Sequence, residues 1–241
     1  MDALRLKIVM TKPNFHIPIG YNVLLQGLIY SLIAKSHLGN QYHDIGFQYA
    51  NKTFKCFVFS QLFGKFKVYQ QELIFENEFY FYLSSQDEDF LKEIYRMLML
   101  NESVVLNYQK VTIEAINLFE LTPFYETETV TLKTLSPVLI YSTKDDFSTY
   151  YALSSPIANH FMIQNLKDKS QAYGYPLKKL EFTIEDILYE KRRMVKFKDC
   201  VYPAYMGELK VNTNFETLLF VYNCGLSSKN SAGFGMIEVV K

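Results

Sequence analysis

The chain has no tryptophan, only three cysteines and no net charge. Each of these shortages excludes something. Cys56, Cys200 and Cys224 are far apart and odd in number, and none belongs to a Cys-x-x-Cys pair. A disulfide scaffold and a zinc module therefore both drop out. A reduced, intracellular chain is the simplest reading. With 25 basic and 25 acidic residues, and neither half strongly charged, the surface is not coated with positive charge, although a local basic patch stays open. The N-terminus lacks the charged and apolar regions of a signal peptide. The longest apolar helical stretch, Val23 to Ala34, is interrupted by Gln26, Gly27 and Ser31 and is too short to span a bilayer. The expectation is a soluble, cytoplasmic protein with no membrane partner. No carboxylate pair or ligand cluster calls for a metal, and no cofactor is expected.

What the chain does have is apolar and aromatic material. Of its 241 residues, 49% are apolar, with 19 tyrosines and 20 phenylalanines. A sizeable core follows, and aromatic strands use most of these rings in packing. Leu4 to Met10 alternates as a strand with a partly basic outer face. Leu24, Leu25, Leu28, Ile29, Leu32 and Ile33 recur at helical spacing behind Asn22, a candidate N-cap. Gln26, Tyr30, Ala34 and His37 fall on another face of that helix. Strands rich in Phe and Tyr follow, at 54–60, 66–69 and 72–83. Ser84 to Asp87 then signals the start of a second helix running to about Leu100, and 104–119 returns to strand. After Thr122-Pro123-Phe124 the order approximately repeats. There is a strand at 129–141 containing Pro137, a helix from Ser155-Pro156, and strands at 180–189, 194–197 and 202–211, the last broken at Gly207. A short apolar helix, 215–223, is capped by Gly225, and a last strand closes the chain. The pattern predicts an α+β fold of two tandem ferredoxin-like βαββαβ units, 1–122 and 123–241, with a cleft between them.

The most unusual stretch is Gly225-Leu226-Ser227-Ser228-Lys229-Asn230-Ser231-Ala232-Gly233-Phe234-Gly235. Glycines permit left-handed backbone and close approach, and freed amides in such a turn can cradle an anion. The alternative is a tight turn between a helix and the last strand. The loop follows a helix rather than opening one, so it is not a dinucleotide fingerprint. A small-molecule-binding regulator accordingly ranks low.

Four segments in order resemble a known family. They are Asn22 to Tyr30; His43-Asp44-Ile45-Gly46-Phe47 with Lys52 and Phe54 to Leu62; Thr134-Leu135-Ser136-Pro137-Val138; and the glycine loop with Lys229-Asn230-Ser231 and its closing Gly233-Phe234-Gly235. Together they cover roughly a quarter of the chain and are similar to the CRISPR repeat-cleaving endoribonucleases of the RAMP superfamily. The resemblance implies two ferredoxin-like domains facing each other across a cleft. It also implies metal-independent cleavage of one phosphodiester on the 3′ side of a repeat hairpin. The ribose 2′-oxygen attacks phosphorus, leaving 2′,3′-cyclic phosphate and 5′-hydroxyl ends.

By the same resemblance His43 is the general acid or base, Tyr30 positions the 2′-hydroxyl, and Lys52 stabilises charge on the phosphate. His37 rivals His43, and Lys55 competes with Lys52. Tyr30 also reads as a packing tyrosine with a wet hydroxyl. For RNA binding the densest basic run is Lys191, Arg192 and Arg193 with Lys196 and Lys198, suited to the phosphates of an A-form stem and otherwise a solvated hairpin face. In the loop, Lys229, Ser231 and the amides around Gly225, Gly233 and Gly235 are expected to contact phosphate. His16 and His160 read as structural, Cys56 and Cys224 as core. The partner is CRISPR repeat RNA; association with other effector subunits and a homodimer stay open. The competing reading is a RAMP-type subunit that holds repeat RNA without cutting it.

Overall fold

The computed structural model describes residues 5–34, 46–124, 126–175 and 177–240. The first half contains β1 (Arg5–Thr11), β2 (Phe15–Pro18), α1 (Asn22–Ala34), β3 (Phe47–Tyr49), β4 (Lys52–Phe54), β5 (Phe57–Phe59), β6 (Phe63–Tyr69), β7 (Glu72–Ser85), α2 (Glu88–Met99), β8 (Ser103–Leu106) and β9 (Gln109–Phe119). The long β7 organises its sheet. It pairs antiparallel with β1 and β2 on one side and with β5 and β6 on the other. β1 also pairs with β9, and β9 with β8. The spatial order β9-β1-β7-β5, with α1 and α2 as crossovers, is the ferredoxin-like arrangement.

The second half repeats it with β10 (Glu128–Thr134), β11 (Ile140–Lys144), β12 (Phe147–Tyr151), α3 (Ala158–Ala172), β13 (Phe182–Phe197), β14 (Cys200–Thr213), α4 (Phe215–Cys224) and β15 (Ile237–Val240). Its sheet order is β13-β14-β10-β15. A cleft of about 700 Å³ opens between the two sheets, walled by Arg5, Tyr82 and Phe119 on one side and by Thr131, Tyr222 and Glu238 on the other.

The predicted periodicities account for both cores. Leu6, Ile8 and Met10 of β1 are buried, as are Leu25, Leu28, Ile29, Leu32 and Ile33 of α1. The phenylalanines do pack: Phe15 stacks on Phe79 at 4.5 Å between centroids and Phe57 on Phe90 at 5.2 Å. α2 begins as expected, with the Asp87 carboxylate accepting from the amides of Asp89 and Phe90. Cys56 and Cys224 lie in the core; Cys200 is exposed.

Several expectations need correction. The strand expected at 104–119 is the β8–β9 hairpin, and that at 54–60 is divided between β4 and β5. The strands expected at 180–189 and 194–197 form one 16-residue strand, and 202–211 extends unbroken as its 14-residue partner. Register shifts between Ile184 and Asp186, and between Ile187 and Tyr189, break the alternation that marks a strand. Gly207 continues the ladder opposite Glu190. The strand expected across 129–141 ends at Thr134, and Ile140 begins the unpredicted β11–β12 hairpin, turned by Asp145 and Asp146 at positive φ. Asn22 does not cap α1. Its amide donates instead to the Ala232 carbonyl, at 2.9 Å.

That contact belongs to the joint between the halves, which the glycine loop fills. Val58 of β5 packs with Leu135 and Met236, and Gln61 N–H donates to Leu135 O at 2.9 Å. The loop is tied inward. Leu226 N–H donates to Gly235 O at 2.7 Å, and the Asn230 carboxamide spans the carbonyls of Leu226 and Phe234 at 3.1 and 3.0 Å. The buried Lys169 ammonium donates to Gly225 O at 2.8 Å and to Ser227 O at 2.7 Å. Burial lowers its pKa to about 8, which the neighbouring Cys224 partly opposes.

Gly235, at φ 76°, shows why a side chain cannot be accommodated: a Cβ there would lie 1.9 Å from the Leu226 carbonyl oxygen. Gly235→Ala should therefore destabilise the fold by at least about 3 kcal/mol. By contrast Gly27, on the exposed face of α1, has nothing within 4 Å of a Cβ, and Gly27→Ala should stabilise by about 0.5–1 kcal/mol. Urea unfolding of both variants checks the pair; equal effects would contradict this packing.

Lys169 makes a pH prediction. Unfolded, its amine has the ordinary value of 10.5; folded, about 8. Between these values the unfolded chain holds the proton and the folded chain does not, so this group adds stability as pH rises. The neutral amine still has two N–H donors for the two carbonyls. Wild type should gain stability relative to Lys169→Met as pH rises through that window; a flat difference in urea melts would refute the assignment.

Candidate active site at the domain joint

Three polar residues of α1 recur every fourth position, Asn22, Gln26 and Tyr30. On an α-helix that spacing makes one row. The row faces the glycine loop. Asn22 Nδ2 donates to Ala232 O, Gln26 Nε2 donates to Ser231 O at 2.7 Å, and the Ser231 hydroxyl hydrogen-bonds the Tyr30 phenol. Tyr30 is half-buried, with its ring edge-on to Phe57 at 5.5 Å. Burial, reinforced by the nearby Cys56, pushes the phenol up to about 12, and the Ser231 hydrogen bond offsets little of this. At neutral pH the phenol keeps its proton, so it can donate a hydrogen bond but cannot act as a base.

Lys52, the first residue of β4, also reaches the other half. The β3–β4 hairpin rests on α3 through Tyr173, whose ring meets Phe47 edge-on at 5.2 Å and whose hydroxyl donates to Lys55 O at 2.9 Å. Lys52 Nζ pairs with Asp168 Oδ2 at 2.6 Å, and Gln164 holds the other carboxylate oxygen at 2.8 Å. Asp168 is nearly buried whereas Lys52 is more than half exposed. The ammonium is thus fixed in direction while part of its charge is already offset. Its carboxylate partner, 116 residues away, has no local sequence signal.

His43 and its rival His37 lie outside the described residues. His16 pairs with Glu72 at 2.9 Å, and His160 packs edge-on against Phe161. Among the described residues no group of three His, Cys, Asp or Glu could hold a metal ion.

The glycine loop is the main correction. Gly225, Gly233 and Gly235 are buried, and their amides donate to Val221 O, Asn230 O and Pro137 O at 2.8, 3.0 and 2.9 Å. The loop therefore offers no nest of free glycine amides to a phosphate. These glycines let two domains approach: a Cβ on Gly233 would lie 2.5 Å from Asn22 Nδ2 and 2.7 Å from the Phe59 ring. Ser231 turns to Tyr30. Lys229 is the loop's most exposed residue, its ammonium 5.1 Å from the centroid of the Tyr202 ring.

The basic run lies on the arm formed by β13 and β14. Lys191, Arg192, Arg193, Lys196 and Lys198 are all exposed, and among the described residues none pairs with a carboxylate. Val195, Phe197, Tyr202 and Ala204 of the arm pack with Leu139, Ala232 and Phe234. Lys196 lies against Gly20, two residues before α1. The arm's cations therefore stand beside the same joint that holds Tyr30. Sequence reasoning missed Asp168, Lys169 and the arm's continuity. The Asn22–Gln26–Tyr30 spacing on a mostly apolar helix was the visible signal for the joint.

Comparison with known proteins agrees with this architecture. Residues 120–239 match the family model described as CRISPR associated protein Cas6, C-terminal. Two proteins of Methanocaldococcus jannaschii, CRISPR-associated endoribonuclease Cas6 1 and Cas6 2, are similar along their length. The first is 25% identical, covering 100% of this chain and 94% of the relative; the second is 26% identical, covering 99% and 100%. A solved structure of a CRISPR associated protein Cas6, 20% identical, superposes with a TM-score of 0.80 over 99% of both chains. With the family's C-terminal pattern across its second half and full-length relatives, the chain belongs to the Cas6 family of CRISPR-associated proteins.

Proposed function

We propose that the chain is an endoribonuclease that cuts CRISPR repeat transcripts into guide RNAs by metal-independent attack of a ribose 2′-oxygen. The products carry 2′,3′-cyclic phosphate and 5′-hydroxyl ends. The observation that carries this reading is the junction of Tyr30 with Ser231 at a domain joint flanked by unpaired basic residues. The name of the two relatives, CRISPR-associated endoribonuclease, supports the activity.

The chemistry needs a proton acceptor, a proton donor and positive charge beside a crowded phosphate. Tyr30 remains protonated at working pH and orients the attacking hydroxyl through a hydrogen bond. His43 moves the proton, since imidazole titrates near neutrality. Lys52, aimed by Asp168, supplies charge to the phosphate, and the RNA phosphate replaces the carboxylate in part. The arm residues Lys191, Arg192, Arg193, Lys196 and Lys198 grip the stem's phosphates, which makes binding salt-dependent. One observation favours the alternative of a subunit that binds without cutting: the Lys52–Asp168 pair already spends part of the charge that catalysis requires.

Single-turnover cleavage of a repeat RNA in EDTA separates the two. The enzyme reading expects cyclic-phosphate product, loss of cleavage with retained binding in His43→Ala, and about a 100-fold slower step in Tyr30→Phe. Bound but uncut RNA would establish the alternative. Normal cleavage by His43→Ala with none by His37→Ala would move the proton-transfer role to His37.

A further inference from the structure

A second cleft lies beside Lys229 of the glycine loop, and Tyr30 is not among its lining residues. It encloses about 500 Å³ between the β11–β12 hairpin and the outer end of the arm. Three tyrosines wall it. Tyr141 and Tyr150 are cross-strand partners with ring centroids 5.9 Å apart, and Tyr150 meets Tyr202 at 6.4 Å. Lys229 stands at its edge, its ammonium 5.1 Å from the Tyr202 ring. Thr143 and Ser148 contribute exposed hydroxyls, 3.2 Å apart. Among the described residues no carboxylate lines the cleft.

We propose that this cleft captures one unpaired nucleotide of the RNA, its base stacked on the Tyr150 ring, with Tyr202, set at 74° to that ring, closing the base's edge, and its phosphate on Lys229. The proposal rests on the RNA-processing reading and adds a requirement for single-stranded substrate next to the gripped stem. Aromatic faces stack any nucleobase, and a cation at the platform's edge meets the attached phosphate. A base within a duplex is covered on both faces by its neighbours and cannot reach these rings; only an unpaired one can. The hydroxyls of Thr143 and Ser148 offer donors and acceptors to the base edge. Tyr202 is fixed from behind by Phe234, edge-on at 6.0 Å, so the platform is held in place before RNA arrives. Its location also fits. Ser231, two residues beyond Lys229, contacts Tyr30, so one rigid loop links the captured nucleotide to the candidate catalytic phenol.

The test uses the full chain and two probes at low salt: a uridine octamer with a central 2-aminopurine riboside, and a perfectly paired 16-bp RNA duplex. Wild type should bind both and quench the 2-aminopurine. Tyr150→Leu, Tyr202→Leu and Lys229→Gln should each weaken octamer binding about tenfold, the tyrosine variants should lose the quench, and duplex affinity should stay within about twofold. Tyr150→Phe should behave as wild type. Lys229 is exposed, so its variant tests the cleft without disturbing the core. Octamer binding and quench unchanged in all three variants would overturn the proposal, as would a wild type that binds the duplex but not the octamer; both leave the RNA-processing reading standing. A wild type that binds neither probe would overturn that reading too.

Discussion

One set of hydrogen bonds holds the molecule's two halves in a single arrangement: the polar row of α1 against the backbone of the glycine loop. Asn22 and Gln26 serve the carbonyls of Ala232 and Ser231, and Ser231 in turn meets Tyr30. A loop buried between two domains exposes backbone groups to a dry environment, where each unpaired group is costly. The amides on α1 meet part of that demand from across the joint, while Asn230 and Lys169 meet the rest from within the second half. The glycines matter because this exchange needs the two backbones close together.

Charge is organised around the same joint. Two buried cations from different halves converge on the C-terminal end of α4. Arg5 donates to Tyr222 O at 3.1 Å and lies 3.5 Å over the Tyr222 ring; Lys169 reaches Gly225 O and Ser227 O. The carbonyl end of a helix dipole favours positive charge, yet burial still brings Arg5 down to about 10 and Lys169 to about 8. These cations hold structure and are not available to a ligand. The arm's cations and Lys229, by contrast, are exposed. A chain of zero net charge can thus present a basic face, because part of its positive charge is spent inside and part of its negative charge lies elsewhere on the surface.

Much of the fold was legible because both periodicities are strong where one face is buried. The β1 alternation, the α1 stripe, the Asp87 cap and the Gly225 helix stop all read directly. The long arm did not, because its bulges shift the side-chain period and most of its positions face solvent. The candidate site was legible only in part. Tyr30 and Lys52 lie at the joint and the basic run beside it, but Asp168 is a distant partner that no local pattern announces. The loop's chemistry was misread for a physical reason. Glycine, serine and lysine look alike in a phosphate cradle and in a buried hinge between domains; only the partners across the chain, Asn22, Gln26 and Phe59, distinguish the two.

The central claim is that the glycine loop is a structural joint whose amides are already paired, and amide hydrogen exchange tests it most directly. The amides of Gly225, Gly233 and Gly235 should exchange as slowly as the strands of the core in the free protein, and adding repeat RNA should leave them unchanged. Fast exchange in the free protein that becomes slow when RNA binds would show a phosphate cradle instead, and would contradict the account.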